Sequence, residues 1–338
     1  MTALPAGVLE ELDGGPIRPR PAPPRAMAWP RAMAAASVVA ASRPRLWVFA
    51  LLAFLARGGL VALVVPMLVL PTFIGLSNVV GPTSVTAAGP TARLIAMVAT
   101  WLGIALGAIV GGTLIAAAAE VALYRATVAP GPDLAGSEFR SGLIAATAPV
   151  SRGAATRTAT VRLVLLLPVA IALAAAVPAW VQVAYRELLL PSDLAVPLPV
   201  RVIAGAPLPS AVVVAAWLAA EVLGGLAARR IALHGSSVAG AFRSAAGHVA
   251  RAPASAFLTL TVAIGGTLLV LGPTVVVVGV AWDHARIALV DGTDATGIIL
   301  RTLVLVAAWA GCLAVAGIAA AWRSALWTAE AARRAVAG

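Results

Sequence analysis

The sequence predicts an all-α polytopic membrane protein, with six transmembrane helices arranged as three helical hairpins, each preceded by a cytoplasmic amphipathic helix. Three observations predict it. Of the 338 residues, 61% are hydrophobic and 11% charged, against ~45–50% and ~25% in soluble chains, and the mean hydropathy is +1.00. Apolar runs exceed the ~20 residues that cross a hydrocarbon core. Arginine divides unevenly between alternate loops, as it does across a membrane.

Residues 1–30 carry Pro5, Pro16, Pro19, Pro21, Pro23, Pro24 and Pro30 among scattered charges. This composition favours extended, unpacked chain, and the segment is expected to be a disordered Pro/Arg-rich cytoplasmic tail. The first 45 residues lack an apolar core of the signal-peptide kind, so the first span is expected to remain as an anchor. The spans are expected at 46–76, 95–122, 162–184, 208–228, 256–281 and 299–322, within a transmembrane domain of 31–330, and 331–338 form a cytoplasmic tail. The segments at 31–43, 138–152 and 240–252 mix small apolar residues with arginine at helical spacing, as a helix lying among headgroups does. Arg140, Arg152, Arg243 and Arg251 are the expected contacts to anionic lipid headgroups.

All 24 basic residues are arginine. Without a single lysine, and with Ala, Gly, Pro and Val abundant, the chain reads as the product of a GC-rich bacterial genome. The tail and the loops on its side hold 18 arginines and six acids, whereas the opposite loops hold five of each. Both termini are therefore expected inside, in a bacterial cytoplasmic membrane. The net charge of +11 is then a membrane-side signal, and nucleic acid is not an expected partner.

A repeat emerges when the chain is aligned with itself. Gly58-Gly59, six residues and Pro66 recur as Gly265-Gly266, six residues and Pro273, and Phe139-Arg140-Ser141 returns as Phe242-Arg243-Ser244. The units run about 31–128, 138–234 and 240–330. In the second span Gly103, Gly107 and Gly111 form a smooth strip where a neighbouring backbone is expected to pack. Similar small-residue stripes in the fourth and sixth spans suggest that the even spans form the centre.

Three ionisable residues sit in or near apolar runs: Arg57, Glu120 and Glu221. An intramembrane charge is costly unless paired or hydrated, which makes these the candidate intramembrane polar site. Arg57 and Glu221 fall at similar depth and are expected to pair, while Glu120, five residues before Arg125, is expected to reach the boundary or a headgroup segment. No HExxH, GxSxG, Walker or strand-linked GxGxxG pattern occurs. No catalytic, cofactor or metal residues are assigned; Cys312 and the scattered His234, His248 and His284 carry no ligand pattern.

The three amphipathic segments leading into pairs of spans, with the span-end patterns Tyr124-Arg125-Ala126, Arg230-Ile231-Ala232 and Arg323-Ser324-Ala325, resemble the six-span membrane domain found beside some bacterial glycerophosphodiester phosphodiesterases and its stand-alone relatives. The resemblance covers about 31–330 and lacks the phosphodiesterase domain. It implies a lipid-associated or membrane-homeostasis role. The expected function is that of a non-enzymatic membrane protein with anionic lipids, a membrane-protein partner or further copies of itself as partners. The alternative is a secondary transporter of a small or amphiphilic solute using Arg57 and Glu221.

Overall fold

The computed structural model describes residues 29–64, 67, 85–86, 89–129, 153–193, 196–292 and 294–332. The proline-rich tail up to residue 28, the amphipathic segment at 138–152 with Arg140 and Arg152, Pro66, and residues 333–338 lie outside them.

Helices dominate the described chain. A first helix, α1 (Trp29–Ser42), leads into α2 (Pro44–Phe54), a π-helical turn (Leu55–Gly59) and α3 (Leu60–Val64). A two-residue antiparallel ladder, β1 (Val85–Thr86) with β2 (Gly89–Pro90), precedes α4 (Ala92–Val128). Then come α5 (Ala154–Leu189), the short α6 (Leu198–Gly205), α7 (Pro207–His234), α8 (Val238–Arg251), α9 (Pro253–Val290) and α10 (Ala295–Ala332). Six helical stretches are long and apolar enough to cross a membrane: Pro44–Val64, Ala92–Val128, Ala154–Leu189, Pro207–His234, Pro253–Val290 and Ala295–Ala331.

Local chemistry sets the breaks. Pro44 and Pro253 open α2 and α9, and the residues before them, Arg43 (φ −125°, ψ 79°) and Ala252 (φ −144°, ψ 59°), are forced out of helical geometry by the proline ring. The side chains of Thr91 and Ser237 cap α4 and α8 by accepting from the backbone N–H of Leu94 and Gly240, which satisfies one orphan donor each. At the other ends, Arg43 donates to the carbonyls of Ala126, Thr127 and Ala129 at the end of α4, and Arg157 to those of Gly235 and Ser236 after α7. A cation on free carbonyls also opposes the negative end of the helix dipole.

Most spanning helices run further than the apolar windows suggest. The Ala- and Arg-rich flanks are good helix formers, so α4 continues to Val128, α5 starts at Ala154 and α10 continues to Ala332. Neighbours pack in the order α9, α10, α2, α4, α5, α7, with α1 laid along α10 and α8 along α7. Among the described residues α7 and α9 make no extended backbone contact, and what joins them is side-chain packing in a shared hydrophobic cluster that includes Leu226, Leu260 and Ala263.

The exposed large hydrophobics form a belt. On α4 they run from Ile95 to Ile115 and on α10 from Ile299 to Ile318, each ~30 Å at the helical rise, which is the thickness of a hydrocarbon core. On α4 burial sets in beyond the belt, at Ala116, whereas on α10 it begins within the belt, at Cys312 and Ala316, and continues to Ala325 and Leu326.

Two expectations about packing are corrected here. The strip of Gly103, Gly107 and Gly111 faces no neighbour: among the described residues nothing lies within 4 Å of a Cβ built at any of the three. Among the described residues that part of α4 has no packing partner, and they do not show the even spans jointly forming the centre. The close approach occurs instead at Gly112, where a Cβ would collide with the Ala56 carbonyl oxygen. Gly112→Val is therefore expected to cost about 1–3 kcal/mol through overpacking, whereas Gly107→Leu stays within about 0.5 kcal/mol. Unfolding of both variants in mixed micelles checks the contrast; equal losses would return the packing face to the glycine strip.

The internal pattern has unequal structural consequences. At Gly58-Gly59 the helix breaks, with Arg57 at φ −89°, ψ 17° and Gly58 at φ 96°, whereas Gly265-Gly266 passes through α9 without interruption. The first copy needs glycine at position 58 because other residues rarely adopt that positive φ. The second copy uses Gly266 for room: a Cβ there would meet Trp322 at 2.7 Å.

Candidate functional site

The break at Gly58 matters because of the residue before it. Arg57 leaves α2 with its guanidinium turned between α4 and α7, where Nη1 donates to Glu120 Oε1 at 3.0 Å and Nη2 to Glu221 Oε2 at 2.6 Å. The expected Arg57–Glu221 pair is thus formed. Glu120 departs from its expected place at the boundary: it is 3% exposed and joins the same cluster. Desolvation explains the difference, since a carboxylate within the bundle needs cations on both oxygens to offset the loss of water.

Two more arginines complete the pairing. Arg162 of α5 grips Glu120, with Nη2 at 2.9 Å and 3.1 Å from its two oxygens and Nε at 3.3 Å. Arg323 of α10 donates through Nη2 to Glu221 Oε1 at 2.6 Å. Gly224 makes the first contact possible, because a Cβ there would sit 2.6 Å from Arg162 Nη1. A fourth arginine, Arg229, lies under the ring of Tyr124, 4.3 Å from its centroid. It donates to Gly225 O, Ser324 O and Thr328 Oγ1 at 2.7, 2.8 and 3.0 Å, which fixes a cation without a carboxylate.

These groups wall a cavity of about 280 Å³ to which all six spanning segments contribute, α9 through Thr267 and Leu271. The volume is far above the ~10–15 Å³ that one water needs. Glu120, Glu221 and Arg229 are buried, while Arg57 and Arg323 keep 34% and 23% of their side-chain surface accessible. The cavity therefore offers guanidinium groups to whatever enters, with the carboxylates behind them.

Sequence reasoning found Arg57, Glu120 and Glu221 but missed Arg162, Arg229 and Arg323. All three stand at or one residue beyond the edges of apolar runs, where an arginine reads as an orientation signal. One signal was available: Ala118-Ala119-Glu120-Val121 recurs as Ala219-Ala220-Glu221-Val222, and two equivalent buried carboxylates need more than one arginine. Of the expected headgroup contacts, Arg243 and Arg251 lie on the exposed side of α8, whose inner side buries Ala241, Ala245 and His248. Across the connection from α5 to α6, Arg201 of α6 pairs with Glu187 of α5 at 2.8 Å.

Fold and site define a class, an all-α multi-pass membrane protein with six spanning helices around a charged cavity. No protein-family model, curated protein or solved structure matches the chain.

Proposed function

We propose that the chain is a non-enzymatic integral protein of the bacterial cytoplasmic membrane, both termini inside, with a lipid-associated role in which the central cavity holds an anionic amphiphile. The observation that carries this reading is the cluster's position along the helices. Glu120 and Arg323 stand five residues beyond Ile115 and Ile318, the last exposed members of the apolar belt on α4 and α10, which is ~7 Å at the helical rise. On these two helices that is headgroup depth, at the end where arginine is concentrated, whereas on α2 exposed Val48 and Leu52 carry the apolar surface past Arg57 toward the same end. Exposed Arg243 and Arg251 on α8 fit the same surface as contacts to anionic lipid. A lipid-associated role is also what the resemblance of the span pattern implies.

A second reading, a secondary transporter, is favoured by one observation: Arg57 and Glu221 meet at a cavity and not in a dry, close-packed centre. Two measurements test the first reading. Lipid extracted from protein purified in mild detergent is expected to be enriched in anionic species over the bulk membrane, and the Arg57→Gln/Arg323→Gln variant loses the enrichment; bulk composition in the wild type sinks the reading. For orientation, Ser236→Cys in a Cys312→Ser background is expected to resist an impermeant maleimide in intact cells and to react after lysis. Labelling of intact cells reverses the topology and moves the site to the other leaflet.

A further inference from the structure

Resting on the anionic-amphiphile reading, we infer that the cavity is built for a phosphoryl group in its dianionic, monoester form. Charge count is the first ground. Arg57, Arg162, Arg229 and Arg323 face only two carboxylates, Glu120 and Glu221, in the cavity wall, so the four arginines outnumber the acids by two in a partly enclosed space. Uncompensated charge in such a place is expensive, and a dianion cancels this excess where a monoanion leaves half of it.

Unused donors are the second ground. Each guanidinium has five N–H donors. Arg323 gives only Nη2 to Glu221, and Arg57 gives Nη1 and Nη2 to the two carboxylates; among the described residues neither Arg323 Nη1 nor either Nε is bonded. These are also the two guanidinium groups with the most accessible surface at the cavity, and their planar forks suit phosphate oxygens.

The side of the bundle where α7 and α9 meet through side chains and not through close backbone packing supplies a way in for a lipid. Trp217 on α7 and Thr267 on α9 both line the cavity, Trp217 remains 43% exposed, and α7 and α9 make no extended backbone contact among the described residues. A headgroup can sit among the arginines while its acyl chains leave through this seam into the belt. Free phosphate has the same chemistry and needs no seam.

The test is thermal unfolding of the detergent-solubilised full chain titrated with dihexanoyl phosphatidic acid, phosphatidylglycerol, phosphatidylcholine or inorganic phosphate. At pH 8 phosphatidic acid is expected to reach half-maximal stabilisation at a concentration at least tenfold below phosphatidylglycerol. The ratio shrinks several-fold at pH 5, where a phosphomonoester, with a second pKa of about 6, becomes a monoanion. Arg323→Gln is expected to raise the midpoint for phosphatidic acid at least tenfold, and Arg201→Gln, on α6 and outside the cavity lining, leaves it unchanged. Inorganic phosphate acting as strongly as phosphatidic acid also supports the phosphoryl site and makes the free ion the ligand. Equal responses to phosphatidic acid and phosphatidylglycerol overturn the dianion inference and leave the anionic-amphiphile reading standing. A response no stronger than that to phosphatidylcholine overturns both. Should Arg323→Gln fail to fold, Arg323→Lys, which keeps the charge but loses the fork, is expected to weaken phosphatidic acid several-fold, and no change there overturns the assignment.

Discussion

Glu221→Ala is expected to lower the unfolding free energy of the detergent-solubilised protein by about 3–5 kcal/mol, as breaking a buried pair does by leaving its partners uncompensated. Glu221 is 7% exposed and accepts from Arg57 at 2.6 Å and from Arg323 at 2.6 Å. Removing it leaves Arg323 without a carboxylate and Arg57 with Glu120 alone, in a wall that already carries an excess of positive charge. Glu221→Gln keeps the shape and an acceptor oxygen but not the charge, so it falls between wild type and alanine. Arg323→Gln is milder than either, because its side chain is partly accessible and water replaces the lost partner. A double variant, Glu221→Met with Arg57→Met, is expected to recover part of the loss, since apolar replacement of a whole buried pair often costs little. Denaturant unfolding of the four variants checks the order. If alanine at 221 costs under 1 kcal/mol, the cluster is hydrated enough to be treated as surface charge.

The same balance explains which parts of the site were legible in the sequence. Arg57 and Glu221 stand well inside apolar runs, where hydrocarbon makes a lone charge intolerable, so each implies the other. Arg162, Arg229 and Arg323 stand at the edges of such runs, where water or headgroups are equally good solvents for an arginine. Hydropathy ends there, but the helices do not: α5 begins eight residues before Arg162 and α10 ends nine residues after Arg323. Residues read as loop charges thereby become interior ones. This feature depends on how far neighbouring helices run together beyond the apolar belt, and no local pattern encodes it.

Glycine illustrates a different limit. A four-residue glycine spacing states that one face of α4 is smooth, not that another backbone reaches it, and a lipid chain covers such a face as well as a helix does. Gly112, one position on, carries the contact because the π-helical turn pushes the Ala56 carbonyl toward it. The turn is created by Gly58 at a positive φ, so two glycines on different helices cooperate to place Arg57. Six spans follow from hydropathy alone; that coupling does not.

Glu330→Ala is expected to release α1 and α8 from the bundle without emptying the cavity. Glu330, 2% exposed near the end of α10, accepts from Ser255 Oγ at 2.7 Å and from Thr259 Oγ1 at 3.4 Å, and sits 3.1 Å from His248 Nε2. Thr259 in turn accepts from Trp29 Nε1 at 3.1 Å. One carboxylate thus ties together α8, α9 and α10 and, through Thr259, the first residue of α1. Alanine leaves the imidazole of His248 and the Thr259 hydroxyl short of a buried partner, at about 1–3 kcal/mol for each group left unsatisfied. Glu330→Gln retains both an acceptor and the side-chain volume and is expected to lose less. The readout is maleimide labelling at Ala36→Cys, a fully buried position on α1, in a Cys312→Ser background. Glu330→Ala is expected to speed labelling at least tenfold. The phosphatidic acid midpoint stays near that of the wild type, because none of the four tied residues lines the cavity. Unchanged protection at position 36 would mean that α1 is held by its buried face of Ala32, Ala35, Ala36, Val39 and Ala40 and that the polar tie is dispensable.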